Sequence, residues 1–291
     1  MSIEGICWIN NEIVPLQDAR ISVMDHGLLY GDGVFEGIRF YNNKLFLLEP
    51  HLKRLEASAS AIALKIPKNL QALTQILQTV VNAYAGHQGY IRLIVTRGKG
   101  PLGINPAACK QPELIVIASP LNMSDEQAQK KGIRSIIAST RRIPADCLDP
   151  RIKSLNYLNA IMARIEANNA GVEEALMLNQ QGFITEGTVN NVFIVKDGAL
   201  YTPPSIDGSL AGITRDLILK LAASADITTQ VTSMTAYDIY AADECFLSGT
   251  GAELIPVNEV DGRKFDTCPG PIFNQLKGLY QKCFQQINGD L

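Results

Sequence analysis

The chain has 291 residues, enough for about two domains, and its 46% hydrophobic and 19% charged residues supply a sizeable core. A net charge of −3 without a basic block excludes nucleic acid and anionic membrane surfaces as partners, and no apolar run approaches a membrane span. The start, Met1-Ser-Ile-Glu-Gly5, lacks a signal-peptide pattern; six scattered cysteines without Cys-x-x-Cys and three distant histidines indicate reduced thiols, a cytoplasmic protein and no metal site.

The first elements read as a hairpin, with short apolar runs around Asn10-Asn11. Three glycines then crowd Gly27 to Gly33, so the backbone bends or approaches something closely there. A strand from Val34 onward puts Phe35, Gly37 and Arg39 on one face. An arginine beside an aromatic on a covered face suits a carboxylate; a solvated edge-strand arginine fits the pattern equally well. Asn42-Asn43 turns the chain into 44–48, and Pro50 opens a helix over 50–64. Its stripe is Leu52, Leu55, Ala59 and Ile62, and Arg54 lies off it, as an exposed helix arginine would. A second amphipathic helix spaces Leu70, Leu73, Leu77, Val80, Val81 and Tyr84. The strand over 89–97 alternates Tyr90, Arg92, Ile94 and Thr96 onto one face. Gly98-Lys-Gly-Pro-Leu-Gly103 matches Gly-x-Gly-x-x-Gly, but Pro101 interrupts it and no helix opens at Ile104-Asn-Pro-Ala107, so the dinucleotide reading is rejected. A strand over 113–118 closes a first domain over 1–119, and polar residues 120–131 connect it to a second over 132–291.

That second domain starts with a strand over 132–138 and an irregular stretch over 143–150. The spacing of Leu155, Leu158, Met162 and Ile165 then predicts a helix over 155–169, with Gly171 past its end. Lys153 would lie at that helix's N-terminus, where the dipole disfavours a cation and eases deprotonation. A neutral amine can attack an aldehyde, although a lysine by a loop is more often simply solvated. After a strand over 175–178, Glu186 sits between apolar strand halves beside Gly187; it is either a partnered carboxylate or a turn glutamate in solvent. Lys196-Asp-Gly-Ala199 makes a hairpin turn. Leu210-Ala-Gly-Ile-Thr-Arg-Asp216 opens a helix through Ala225, where Ile213 and Thr214 offer an anion site or a plain helix start. Thr250 and Gly251 form a tight polar turn after a strand, and 272–287 is a terminal amphipathic helix.

Ile152-Lys-Ser-Leu-Asn-Tyr-Leu-Asn159 resembles the lysine motif of the class IV (fold type IV) pyridoxal phosphate aminotransferases. Four more segments resemble motifs of that family in order, and together they cover nearly the whole chain. They are Tyr30-x4-Phe35-x-Gly37-x-Arg39, Tyr90-x-Arg92 with its glycine loop and Asn105-Pro106, the stretch around Glu186, and Phe246-Leu-Ser-Gly-Thr-Gly-Ala-Glu-Leu-Ile-Pro256. The first two are of the branched-chain type. The resemblance implies an α/β fold of two domains with pyridoxal 5′-phosphate in the cleft between them. It implies that Lys153 carries the cofactor, Glu186 meets the pyridine nitrogen and Tyr157 the phenolic oxygen. Tyr157 follows the lysine by four positions, one fewer than in the best-known bacterial members. It assigns Arg54, Ile213, Thr214 and Thr250 to the phosphate. Tyr30, Phe35, Arg39, Tyr90, Arg92, Leu102 and the Gly251-Ala252 turn fall to the substrate.

The expected reaction is transamination between L-branched-chain amino acids and 2-oxoglutarate. The D-amino acid enzymes of this family place an Arg-x-His pair after Thr-Arg-Gly; here Thr96-Arg97-Gly98 is followed by Leu102 and Ile104 at the matching spots. The alternatives are aminodeoxychorismate lyase or D-amino acid/(R)-amine transamination, or a non-enzymatic binder, against which Lys153, Glu186 and Arg54 together argue. The loop around Leu102 would reach a partner's active site, implying a homodimer or a larger assembly of dimers.

Overall fold

The computed structural model describes residues 4–121 and 126–286. The chain divides into two compact units, Met1–Leu121 with Ile152–Asn156, and Asn122–Arg151 with Tyr157–Leu291. The five residues around Lys153 thus count with the first unit.

The first unit contains β1 (Ile6–Ile9), β2 (Glu12–Pro15), α1 (His26–Tyr30), β3 (Gly33–Tyr41), β4 (Lys44–Leu45), α2 (Leu48–Ala61), α3 (Leu70–Ala83), β5 (Gln88–Thr96) and β6 (Glu113–Ser119). Its strands form one antiparallel sheet in the order β2-β1-β6-β5-β3-β4. The two-residue turns at Asn10-Asn11 and Asn42-Asn43 all have positive φ, a region asparagine tolerates and a hairpin's twist requires. Leu52 and Leu55 of α2 and Leu73 and Leu77 of α3 pack on Val34, Ile38 and Phe40 of β3. Helix α2 begins at Leu48, two residues before Pro50, which occupies its first turn. After Gly98–Gly103 only a short 3-10 turn, Pro106–Ala108, follows.

The second unit contains α4 (Glu126–Lys131), β7 (Ile133–Ile137), α5 (Leu158–Asn169), β8 (Glu174–Leu178), β9 (Ile184–Glu186), β10 (Asn191–Lys196), β11 (Ala199–Thr202), α6 (Ile213–Ser224), β12 (Thr229–Val231), α7 (Ala236–Tyr240), β13 (Glu244–Gly249), β14 (Glu253–Val260), β15 (Arg263–Lys264) and α8 (Pro271–Gln286). The sheet order is β12-β11-β10-β13-β14-β7-β8-β9, with β15 paired to β14. Strands β7 and β8 are parallel, with α5 as the crossover. Glu244, on β13, accepts from the Ile272 and Phe273 amides and so closes the N-terminus of α8.

Three features of the second unit add to or depart from the sequence reading. The connection over 120–131 contains α4, whose Glu, Gln and Lys residues are good helix formers; residues 122–125 lie outside the described residues, as does Ile287. Helix α5 starts at Leu158, not at residue 155. Residues 153–155 are extended: the Phe35 amide donates to the Lys153 carbonyl, the Leu155 amide to the Gly33 carbonyl, and Ser154 bridges Val34. Their backbone groups are spent on the end of β3, so they cannot start a helix. The apolar stripe of α5 also faces outward: Leu158 is 70% exposed and Met162 48%, whereas Ala160, Ala163 and Ala167 are buried. Ala163 and Ala167 pack on Ala138, Ala175 and Met177.

Candidate active site

In the first unit, strand alternation separates two faces of β3. Phe35, Gly37 and Arg39 pair across to Ile94, Arg92 and Tyr90 of β5. Lys153 joins this face. Its backbone amide donates to Ser58 Oγ of α2 at 3.1 Å, and its Nζ lies 4.6 Å from the Phe35 ring centre. The Arg92 guanidinium sits 4.3 Å from the same ring and 5.5 Å from that of Tyr90. One aromatic floor therefore carries two cations, an arrangement suited to a ligand with an apolar part and a negative charge. Arg39 instead lies over Tyr41, at 5.1 Å. The Tyr30 hydroxyl accepts from the Gly103 amide at 2.9 Å, tying α1 to the glycine loop, where Leu102 is 74% exposed.

The other face of β3 runs Val34, Glu36, Ile38, Phe40, so alternation drives a carboxylate into the helix-covered core. Glu36 is fully buried there. Arg54 of α2 grips it with Nε and one terminal nitrogen at 2.7 and 2.8 Å, and His51 Nδ1 lies 2.7 Å away. Burial pushes the Glu36 pKa up, but bonds and charge from Arg54 and His51 outweigh it and bring it down to about 2. Burial lowers the His51 pKa, with the Glu36 bond opposing. Ionised Glu36 only accepts, so His51 carries its proton on Nδ1. Arg54 is thus not a solvated helix arginine, as the sequence suggested, but a braced one.

In the second unit, Glu186 ends β9 and is 5% exposed. Its Oε1 meets an Arg142 terminal nitrogen at 2.7 Å, and its Oε2 accepts from the Leu210 amide at 3.0 Å. A partnered carboxylate is therefore the outcome. Arg142 escaped sequence reasoning; an arginine beside Arg141 between a strand and an irregular stretch carries no periodic signal. Tyr157 is the N-cap of α5 through its backbone alone, its carbonyl accepting from Ile161. Helix α6 begins at Ile213 and Thr214 behind Gly212, without a side-chain cap. A Cβ on Gly212 would collide with Asn191, whose amide holds the Leu210 carbonyl at 2.9 Å. Two buried hydroxyls, Ser209 Oγ and Ser248 Oγ, have no hydrogen-bond partner among the described residues. The Thr250-Gly251 turn joins β13 to β14, with Ala252 buried. Within the second unit, uncapped amides, the Thr214 hydroxyl and a buried carboxylate are donors and an acceptor of the kind a phosphorylated pyridine needs; in the first, Lys153 is a primary amine of the kind that condenses with an aldehyde. No helix among the described residues is long and apolar enough to cross a membrane.

Comparison with known proteins gives the family. Residues 33–260 match the family model for amino-transferase class IV. A Methanocaldococcus jannaschii protein, provisionally named a branched-chain-amino-acid aminotransferase, is 46% identical over 275 residues, 94% of each chain. The crystal structure of the Escherichia coli branched-chain amino acid aminotransferase superposes with a TM-score of 0.92 at 33% identity, covering 97% of this chain and 94% of that one. The branched-chain amino acid aminotransferase from Thermobaculum terrenum, in its PLP-bound holo form, gives 0.87 at 30% identity, covering 97% and 94%. The chain belongs to the class IV aminotransferases.

Proposed function

We infer that this protein is a pyridoxal-phosphate-dependent branched-chain amino acid aminotransferase, passing amino groups between L-leucine, L-isoleucine or L-valine and 2-oxoglutarate. The observation that carries the substrate reading is the Phe35 ring, flanked by Lys153 and Arg92. It offers an aliphatic side chain a wall and a carboxylate a cation. When bound, pyridoxal phosphate supplies an aldehyde that condenses with amines and a ring that withdraws electrons from the substrate Cα.

The remaining chemistry falls to side chains. Lys153 holds the aldehyde between turnovers, and its freed Nζ takes the proton from the substrate Cα as base and returns one as acid. Glu186 accepts from the protonated pyridine nitrogen, and the Tyr157 hydroxyl donates to the ring's phenolic oxygen. Arg54, Ile213, Thr214 and Thr250 bind phosphate. Arg39 or Arg92 receives the distal carboxylate of 2-oxoglutarate, and the Gly251-Ala252 turn the α-carboxylate. Tyr30, Tyr90 and Leu102 border the substrate. The exposed Leu28, Leu102 and Ile104 support a homodimer or an assembly of dimers, and six unpaired cysteines support a cytoplasmic location.

Borohydride reduction followed by peptide mapping tests the cofactor site, with Lys153 the expected tagged residue. Initial rates with 2-oxoglutarate test the substrate. D-alanine outpacing every L-branched donor would overturn the assignment, as would faster pyruvate release from aminodeoxychorismate.

A further inference from the structure

Residues 101–107 are all exposed, with Leu102 at 74% and Ile104 at 83%. A Cβ on Gly103, whose φ is +126°, would touch nothing within 4 Å. Packing thus contributes little to holding this stretch, and two side chains of α1 tether it. His26 Nε2 lies 3.0 Å from the Pro101 carbonyl, which can only accept, so Nε2 carries a proton and donates. The Tyr30 hydroxyl accepts from the Gly103 amide at 2.9 Å. Leu102 sits between the two tethered residues. The His26 and Tyr30 rings meet edge to face, their centres 4.9 Å apart, so each tether braces the other. His26 is itself firmly set. It is 1% exposed, its amide donates to the Gly98 carbonyl at 3.0 Å, and its carbonyl accepts from the Asp32 amide at 3.2 Å. Its neighbour Asp25 accepts from the Gly27 amide at 2.7 Å and from the Thr96 hydroxyl of β5 at 2.8 Å. Gly100 leaves room for the ring: a Cβ there would lie 2.7 Å from Nε2 and 2.5 Å from Cys109 Sγ.

We propose that His26 is a positioning residue: its imidazole, with the Tyr30 hydroxyl, clamps the 101–103 loop at two points and so presents Leu102 to the aliphatic side chain of the substrate, a role that rests on Leu102 bordering the substrate. A buried, hydrogen-bonded ring grips an exposed loop, so the order of the protein body passes to a residue that packing leaves free. With the His26 donor gone, the Pro101 end of the loop has one tether fewer. Leu102 then spreads over more positions, and each contact it makes with a bound side chain carries a larger ordering cost. The groups that hold and move the proton are not part of this clamp. Its loss therefore falls on binding, raising KM and sparing kcat.

Steady-state kinetics and hydrogen exchange of the full-length holoenzyme test this. His26→Phe keeps a ring against Tyr30 but has no donor, whereas His26→Gln keeps an N–H near the position of Nε2. His26→Phe should raise the KM for L-leucine about threefold to tenfold, the scale of one hydrogen bond, with kcat within about twofold. The KM for L-alanine, whose side chain offers Leu102 little to touch, should stay within about twofold. His26→Gln should recover most of the leucine loss. Gly100→Ala leaves His26 in place and drives a Cβ against Nε2, so it should reproduce the His26→Phe pattern; it decides alone should His26→Phe not fold. The Gly103 amide should exchange at least about threefold faster in either variant, while the amides pairing β3 with β5 keep their protection. Leu102→Ala should raise the leucine KM by itself and add little to His26→Phe. A wild-type leucine KM in His26→Phe and Gly100→Ala, with Leu102→Ala impaired, overturns the proposal and leaves Leu102 at the substrate. So does a full Leu102→Ala effect on top of His26→Phe, or an equal rise in KM for leucine and alanine, either of which marks a structural role only. A wild-type leucine KM in Leu102→Ala instead removes Leu102 from the substrate, and the proposal falls with that reading.

Discussion

The Tyr90 hydroxyl lies so close to Gly37 that a Cβ at position 37 would collide with it. The two residues sit on one sheet face, where Gly37 pairs with Arg92 and Tyr90 with Arg39. Glycine is usually a weak choice inside a strand; here it clears space for a tyrosine ring. Gly37→Ala should therefore push Tyr90 and, through its 5.5 Å stacking, Arg92 out of place. We expect the KM for L-leucine to rise about tenfold while the melting temperature changes little, because alanine stiffens the unfolded chain. An unchanged KM would show that Tyr90 moves aside without consequence.

The Glu36 fork sets an acid limit on stability. Its pKa in the folded protein is about 2, below the ordinary 4.5, so its contribution is complete above about pH 4.5 and is lost as pH falls toward 2. The shift corresponds to something on the order of 3 kcal/mol. Glu36→Gln should lower stability by a similar amount at neutral pH, since it strands a largely buried Arg54. Urea midpoints at pH 7 and pH 3 check both statements. Wild type should lose much of its advantage over the variant at pH 3; a constant gap would contradict the linkage.

Turns and strand faces were legible in the sequence because they are local. Asn10-Asn11, Asn42-Asn43 and Asp197-Gly198 all have positive φ, as their residue types demand. Phe35, Tyr90 and Arg92 share a face because alternation has no other outcome. What failed was whatever depended on distant partners. The spacing alone puts Lys153 at a helix start, but Gly33 and Phe35, more than a hundred residues earlier, hold its segment to the end of β3. The spacing of Leu158, Met162 and Ile165 shows that one face of α5 is apolar, but not that this face points outward, which only the fold decides. Glu36 with Arg54, and Arg142 with Glu186, are charge pairs joined only by the fold, so no spacing announces them.

Glu186→Gln separates holding the cofactor from using it. The glutamine can still accept from Leu210 and contact Arg142, so the loop over 208–210 should keep its place. A neutral amide cannot hold the ring nitrogen protonated. Turnover should fall on the order of a hundredfold or more, the scale of removing one preorganised electrostatic stabiliser, while the protein stays yellow. Wild-type rates would remove Glu186 from that role.

Phe35 should set the preference for large aliphatic donors. Its side chain is 4% exposed, with Lys153 Nζ and Arg92 stacked against the ring, so its removal opens the floor beneath both cations. Burying one aliphatic side chain is worth roughly 1.5–3 kcal/mol, enough to favour leucine over alanine by about tenfold or more. Phe35→Ala should erase most of that ratio in kcat/KM. Phe35→Leu restores an apolar wall without a π-face, so it should keep the leucine preference while weakening the hold on Lys153 and Arg92. The two variants thus divide hydrophobic selection from cation placement. Measured kcat/KM values for L-leucine and L-alanine, with 2-oxoglutarate fixed, give the answer. If Phe35→Ala leaves the leucine-to-alanine ratio intact, the side-chain wall lies elsewhere on this face, with Tyr90 the next residue to vary.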